Sequence, residues 1–219
     1  MSTETRDGYV PLNEHPLGGH ARLLRLVPPG SRVLDVGCST GTLARPLVQR
    51  GCTVVGIELD PASAERAREV CAEVLVGDVE TIELPFADGS FDVVLCGDVV
   101  EHLRDPGAFL ARVRPVLRAD GLLVLTTPNV ANWAMRLSLL AGRWRYTERG
   151  ILDRTHAHLF TRKTLVETLE QAGYRIVELD YTTPVPLIRT RSVEQVAHAI
   201  GRLRPTLFAY QFVVAATPA

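Results

Sequence analysis

A chain of 219 residues is long enough for one domain with a full hydrophobic core. Hydrophobic residues make up 46% of it and charged residues 22%, which is typical of a soluble globular protein. The formal net charge of −1 predicts no general attraction to nucleic acid or to an anionic membrane.

The four cysteines, Cys38, Cys52, Cys71 and Cys96, are scattered without a CxxC pair or zinc spacing. We therefore expect reduced, mostly buried thiols. The amino terminus is polar and contains acids, which predicts no signal peptide, and no apolar run is long enough to span a bilayer. These features predict a cytoplasmic protein, a monomer or homodimer, without a nucleic-acid partner.

Strand-like apolar runs alternate with helical patterns over residues 32–126, which predicts βαβ units and a parallel sheet. The predicted strands cover residues 33–36, 53–57, 74–76, 91–95 and 122–126. The predicted helices between them cover residues 42–50, 61–70 and 106–117.

The pattern changes in residues 128–160, which carry both tryptophans, a basic cluster and two histidines. We interpret this stretch as a lid-like insertion over the functional site. An amphipathic helix is predicted over 161–172, with Gly173 as its stop. Strand-like runs at 174–181 and 207–216, separated by a short helix near 193–202, predict an antiparallel hairpin at the sheet edge. The whole chain, 1–219, is predicted to be one doubly wound α/β domain with a seven-stranded, mostly parallel sheet.

The first predicted strand ends in a glycine-containing turn at residues 35–41, which opens a helix. Glycine permits a tight turn and a close ligand, and a helix amino terminus offers N–H groups to an anion. The turn lacks the GxGxxG pattern of dinucleotide sites and the GK[ST] of a P-loop. A pyrophosphate is therefore a poor candidate ligand, whereas an amino-acid carboxylate remains a good one.

Acidic residues end the second and third predicted strands. Glu58 can accept hydrogen bonds from both hydroxyls of a ribose and would repel a 2′-phosphate. Asp78 lies at the same carboxyl edge of the sheet, where ligands of open parallel sheets bind. The alternative is that Asp35 and Asp78 only cap turns and that the glycines only serve the bend.

The chain resembles the class I S-adenosylmethionine-dependent methyltransferases, a Rossmann-like family. The motifs that carry this resemblance are VLDVGCSTGTL, VVGIELD, VGDVE, FDVVLCGDVVEHL and LRADGLLVLTTPN. A weaker match, in LDRTHAHLFTRKTL and LFAYQFVVAA, is similar to a small-molecule branch related to ubiquinone-type O-methyltransferases. The resemblance implies S-adenosylmethionine as cofactor, bound by Asp35, Gly37, Cys38, Ser39, Gly41, Glu58, Leu59, Asp78, Val79 and Gly97. Ser39 stands where the family commonly has glycine.

The segment Asp98-Val99-Val100-Glu101-His102 follows the fourth predicted strand. Its spacing resembles the segment that binds a divalent metal in ubiquinone-type O-methyltransferases, which implies a site for Mg²⁺ or another divalent ion at Asp98, Glu101 and His102. The alternative is a capping box of Asp98 and Glu101, with His102 packed locally.

Two histidines in the predicted insertion, His156 and His158, are candidates for a catalytic base, as is His102, because imidazole titrates near neutral pH. The alternative is that they only attach the insertion to the sheet. Trp133, Trp144 and Tyr146 form either an apolar substrate wall or a small core of the insertion.

These features predict methyl transfer to a small molecule, at oxygen first and nitrogen next. A protein that binds the cofactor without transferring a methyl group is the main alternative. An NAD(P)-dependent oxidoreductase is disfavoured by the missing fingerprint.

Overall fold

The computed structural model of the protein describes residues 18–182 and 204–219. The helix predicted near 193–202 lies outside the described residues. Strands β1 to β7 are, in chain order, Arg32–Val36, Thr53–Glu58, Glu73–Val76, Phe91–Gly97, Leu117–Pro128, Tyr174–Thr182 and Gln211–Pro218. They form a seven-stranded sheet in the order β3-β2-β1-β4-β5-β7-β6.

The first five strands are parallel to one another, and β7 lies antiparallel between β5 and β6. The predicted doubly wound, mostly parallel sheet with an antiparallel carboxyl-terminal pair is therefore confirmed. All four cysteines are free and buried, as predicted.

The helices described are α1 to α7, and a short 3-10 turn follows β4. Their bounds are Gly19–Leu26, Ala44–Gln49, Pro61–Ala67, Pro106–Val113, Trp133–Leu140, Arg162–Gln171 and Pro205–Phe208, and the 3-10 turn is Val100–His102. Two apolar clusters cover the two faces of the sheet. Helices α1, α2 and α3 pack on one face, and α4 and α6 pack on the other.

Three predicted boundaries were wrong by four or five residues, for local reasons. The last strand begins at Gln211 rather than at residue 207, because Pro205–Phe208 forms a helical turn in which proline occupies the first position. Strand β5 begins at Leu117 rather than at residue 122, because Asp120 and Gly121 continue the strand across a register shift. The helix before it consequently ends at Val113.

Glycine at position 56 lets the first turn pack on the sheet. Gly56 lies in the middle of β2, and a Cβ added there would lie 2.5 Å from Cys38 Sγ and 3.2 Å from Cys38 Cβ. Cys38 is 3% exposed and lies in the turn just after β1, so it has little space to move away. A side chain at position 56 would therefore displace the turn that follows β1.

We predict that Gly56→Ala lowers the free energy of unfolding by about 1–3 kcal/mol, because it overpacks a closed site. Urea unfolding followed by circular dichroism measures this change. Adding Cys38→Ala to Gly56→Ala should recover much of the loss, since the sulfur is the atom in closest conflict.

The matched control is Gly107→Ala in α4, where the added Cβ would lie 3.5 Å from its nearest atom, an ordinary contact. This variant should be as stable as the wild type or slightly more stable. Equal stability of Gly56→Ala and Gly107→Ala would contradict the packing argument.

Candidate functional site

A cleft of about 420 Å³ lies at the carboxyl edge of the parallel strands. Its lining includes these predicted cofactor residues: Gly37, Glu58, Leu59, Asp78, Val79 and Gly97. They come from the ends of β1, β2, β3 and β4, which a parallel sheet brings to one edge. The remaining predicted cofactor residues, Asp35, Cys38, Ser39 and Gly41, belong to β1 and the turn behind the cleft.

The turn after β1 is built from left-handed backbone. Gly37 has φ 66° and Ser39 has φ 49°. A Cβ on Gly37 would lie 2.9 Å from Val99 Cγ2, so glycine is also required there by space. The Gly37 and Cys38 N–H groups both donate to the Ile57 carbonyl, at 2.8 and 3.1 Å. These bonds tie the turn to β2, and Ser39 keeps the turn at a cost of about 1–2 kcal/mol in backbone strain.

Two carboxylates stand beside this turn in different environments. Asp35 is 1% exposed, and burial raises its pKa well above the usual range. Glu58 is partly exposed at the cleft, and its two oxygens accept from the Ser39 N–H at 2.7 Å and the Asp60 N–H at 2.9 Å. A carboxylate oxygen has two lone-pair positions, so Glu58 can still accept from a bound diol.

An arginine that the sequence analysis did not single out crosses the far end of the cleft. Arg104 donates from Nη2 to Asp78 Oδ2 at 3.0 Å, and its Nε lies 3.3 Å from Glu80 Oε2. Asp78 Oδ1 also accepts from the Glu80 N–H at 2.9 Å. The arginine follows the 3-10 turn and belongs to no sequence motif, so only the fold reveals its position.

Asp98 lies at the end of β4 in strained, left-handed backbone with φ 55°. Its carboxylate accepts from the Thr126 hydroxyl at 2.9 Å and from the Gln211 amide, and its N–H donates to Thr126 Oγ1 at 3.0 Å. The capping-box alternative is wrong, because Val99 caps the 3-10 turn and no side chain bonds there. Strained residues held by several bonds cluster at functional sites.

His102 and His156 meet edge to face, with ring centroids 4.8 Å apart. His102 lines the cleft, and its Nδ1 lies 3.1 Å from Thr155 Oγ1 and 3.2 Å from the Thr155 carbonyl. His156 Nδ1 lies 3.1 Å from the Ile151 carbonyl, which fixes the proton on Nδ1 and leaves Nε2 as an acceptor. Burial, and then the neighbouring His102, lowers the pKa of His156, which favours its neutral form.

His158 points to a different partner from His156, although the two alternate in sequence. Its Nε2 lies 3.0 Å from the Arg104 carbonyl, and its N–H donates to the Glu101 carbonyl at 2.9 Å. Both bonds attach the insertion to the turn after β4. The structure therefore brings His102 and His156 together and places His158 in an anchoring position.

Glu101 is a buried carboxylate that makes no ion pair in the described parts of the chain, and the Thr127 hydroxyl lies beside it. Glu101 is 1% exposed, and neither of its oxygens has a hydrogen-bond partner within the described residues. Burial, together with the charge of Asp98, raises its pKa well above the usual range. One donor atom each of Glu101, His102 and His156 lies within 4.8 Å of the others. This group differs from the predicted metal set in containing His156 instead of Asp98.

Further residues converge on Asp98 from distant parts of the chain. His20 lies in α1, and burial lowers its pKa while the Asp98 charge opposes that effect. Tyr210 precedes β7, and burial and then the Asp98 charge raise its pKa. His20 lies in no quoted motif, and Tyr210 lies in LFAYQFVVAA, where nothing in the sequence indicates that it faces Asp98.

The insertion forms an apolar cavity of about 490 Å³ next to this cluster. Trp133 lines the cavity and is 44% exposed, while Trp144 and Tyr146 are 38% and 53% exposed. The alternative that these aromatic residues form a core of the insertion is therefore wrong. The insertion also contains α5, in which no residue is buried.

Comparisons with known proteins agree on one family. A family model described as a methyltransferase domain matches residues 14–179. A ubiquinone biosynthesis O-methyltransferase of Azorhizobium caulinodans is 33% identical over 172 residues, which cover 74% of this chain and 65% of that protein. A 2-methyl-6-phytyl-1,4-hydroquinone methyltransferase of Synechocystis is 33% identical over 174 residues, 74% of this chain and 52% of that protein. The chain thus spans less than two thirds of the length of these relatives.

The solved structures agree on the fold. A SAM-dependent methyltransferase from Archaeoglobus fulgidus superposes with a TM-score of 0.65 at 20% identity, over 90% of this chain and 92% of that chain. Among the described residues, no helix is long and apolar enough to cross a membrane.

The burial of Glu101 predicts how stability depends on pH. A carboxyl group whose pKa is raised by folding stabilises the fold at low pH, and that stability is lost as the pH rises through the raised pKa. We therefore expect Glu101→Gln, which cannot ionise, to gain stability relative to the wild type as the pH rises from 5 to 8. Urea unfolding in EDTA at several pH values measures the difference.

Glu148→Gln is the control, because Glu148 lies in the insertion with its side chain 77% exposed and paired with Arg154. Its stability difference from the wild type should not change with pH in this range. If the free energies of unfolding of Glu101→Gln and the wild type changed equally with pH, the buried carboxyl would not be the source of the pH dependence.

Proposed function

The chain belongs to the class I S-adenosylmethionine-dependent methyltransferases, and on that basis we propose that it transfers a methyl group to a small-molecule acceptor, preferably at oxygen. The observation that carries this proposal is the cleft itself. It brings the turn after β1, Glu58 and Asp78 to one edge of the sheet, with Asp98 and His102 beside them. The names of the relatives support an oxygen acceptor.

The residues present fit S-adenosylmethionine. Gly37 has no Cβ, and a Cβ there would meet Val99. The absence of that atom lets a ligand approach the backbone closely. In the proposed arrangement the turn receives the amino-acid end, Glu58 accepts from the ribose hydroxyls, and Asp78 with Val79 holds the adenine. When bound, this cofactor supplies a methyl group on a positively charged sulfur, which is already an excellent leaving group.

The chain must then orient the acceptor and, for a hydroxyl, remove its proton. We assign the proton acceptor to His156 Nε2, because the Ile151 carbonyl holds the proton on the other ring nitrogen. Its lowered pKa keeps the imidazole neutral and able to accept a proton near pH 7. His102, beside it at the cleft, is the second candidate, whereas the bonds of His158 suit it to anchoring.

A divalent metal at Glu101, His102 and His156 is the alternative role for the same groups. The buried Glu101 carboxylate, which has no cationic partner among the residues that the structure describes, fits a metal, because a cation would compensate its charge. One carboxylate and two imidazoles are suitable ligands for a transition metal. The two roles exclude each other, since an imidazole nitrogen that binds a metal cannot accept a proton.

A protein that binds the cofactor without transferring a methyl group remains the second candidate function. The polar groups gathered around Asp98 favour an enzyme, because a protein that only binds has no use for a base beside the acceptor position.

We predict that Glu58→Gln weakens S-adenosylhomocysteine binding by about 1–3 kcal/mol, the range for losing a charged hydrogen-bond acceptor. Isothermal titration calorimetry measures the dissociation constant. Glu65→Gln is the control, because Glu65 is exposed on α3, does not line the cleft and pairs with Arg68. NAD should not bind either protein. If Glu58→Gln left the dissociation constant of S-adenosylhomocysteine unchanged, Glu58 would not bind the ribose. If NAD bound more tightly than S-adenosylhomocysteine, the cofactor assignment would be refuted.

We predict that His156→Ala lowers the rate of methyl transfer about 100-fold or more, with the affinity for S-adenosylhomocysteine nearly unchanged. If His156 is the base, the loss should shrink at high pH, where a hydroxyl acceptor ionises without help. Turnover with labelled S-adenosylmethionine over a panel of phenolic and hydroxylated acceptors measures the rate.

His158→Ala distinguishes a catalytic role from an anchoring role, and EDTA distinguishes a base from a metal ligand. His158→Ala should lower the rate less than His156→Ala and lower stability more, because its bonds anchor the insertion. Full activity in EDTA supports the base, whereas loss in EDTA that Mg²⁺ or Zn²⁺ reverses supports the metal. Activity of His156→Ala equal to the wild type would exclude both roles for this residue.

A further inference from the structure

The cavity inside the insertion, about 490 Å³, is separate from the cofactor cleft and combines an apolar lining with positive charge. We propose that it binds the acceptor, and that the acceptor is an amphipathic acid with an apolar body and a carboxylate or phosphate group. This inference rests on the proposed methyl transfer and specifies the class of substrate.

The walls of the cavity suit an apolar body. Trp133, Met135, Ile151 and Leu152 line it, and Tyr210 closes one side. Flat and branched apolar side chains with a few polar groups are typical of small-molecule sites, and this volume is within their usual range.

The cavity adjoins the proposed chemistry at two places. Ile151, in the wall, holds His156 through its carbonyl, and the His156 ring contacts His102 at the edge of the cleft. Tyr210, also in the wall, lies within the electrostatic reach of Asp98. One hydrogen bond, from His156 Nδ1 to the Ile151 carbonyl, therefore links the wall of the cavity to the imidazole assigned to proton removal.

The described lining of the cavity carries positive charge without acidic residues to balance it. Arg143, Arg145 and Arg149 line it, and no acidic residue of the described chain does. None of these three guanidinium groups makes an ion pair within the described residues. Arg154, in the same insertion, differs, because it pairs with Glu148 and does not line the cavity.

An anionic group on the ligand would supply the missing partner. Guanidinium binds carboxylate and phosphate with paired hydrogen bonds, and these are stronger next to an apolar wall that excludes water. Neither the walls nor the arginines alone would specify this ligand, but together they select a molecule with both features. The chain's net charge of −1 makes this local concentration of positive charge more distinctive.

The test uses the intrinsic fluorescence of the protein, because both of its tryptophans lie in the insertion and Trp133 lines the cavity. The probes are decanoate, decyl phosphate and 1-decanol, each below the concentration at which it forms micelles. We expect both anions to bind about tenfold more tightly than the alcohol, and salt to weaken the anions more than the alcohol. Equal binding of decanoate and decanol would overturn the proposal.

The variant that tests the arginines is the triple change Arg143→Gln, Arg145→Gln and Arg149→Gln, all at exposed positions where the fold should persist. It should lose the preference for anions and keep the binding of decanol. Arg154→Gln is the matched control and should keep the preference. An equal loss in both variants would show that general surface charge, rather than the cavity, attracts the anion.

Calorimetry with S-adenosylhomocysteine separates this inference from the proposed function. The dissociation constant should be the same with and without saturating decanoate, because the two ligands occupy different cavities. Displacement by decanoate would place it in the cofactor cleft and overturn the inference. Failure of S-adenosylhomocysteine to bind would refute the proposed function, whereas the decanoate measurements would still test the cavity by themselves.

Phosphatidylglycerol vesicles provide the last comparison, since an apolar surface with arginines can also meet a lipid bilayer. The proposal predicts binding of single decanoate molecules in the absence of vesicles. Binding to vesicles without any binding of decanoate or decyl phosphate would overturn it in favour of a membrane surface.

Discussion

The carboxylate of Asp98 connects parts of the chain that are far apart in sequence. It ends β4 and accepts hydrogen bonds from Thr126 in β5 and Gln211 in β7. These bonds hold its backbone in the left-handed region, where a residue other than glycine is strained. The strain is sustained because two neighbouring strands fix the side chain.

The charge of Asp98 also organises the groups around it. It disfavours ionisation of Glu101 and Tyr210, and it favours the protonated forms of His20 and His156 against the effect of burial. Surroundings of this kind favour a cation over an anion in the adjacent space. A sulfonium group, which the proposed cofactor carries, is such a cation.

The cofactor side of the site and the segment from Asp98 to His102 could be predicted from sequence, whereas several residues that pack around them could not. The turn after β1, Glu58 and Asp78 are each defined by a short motif at a strand end, and a parallel sheet necessarily brings strand ends together. Arg104 and His20 reach the site only through tertiary packing, and the motif that contains Tyr210 does not show that this side chain faces Asp98. The same limit applies to His156 and His158, whose regular spacing did not reveal that they bond to different carbonyl groups.

The position of β7 has a consequence for the order in which the parts of the site form. Of the described strands it comes last in chain order, but it lies between β5 and β6 and contributes Gln211 to the Asp98 cluster. A growing chain can pair β1 to β5 and shape the cofactor turn while Gln211–Pro218 is still inside the ribosome. Until that strand emerges, β5 and β6 have an open gap between them, and Asp98 lacks one of the two partners that hold it. During synthesis the turn after β1 can therefore take shape before the Asp98 cluster is complete.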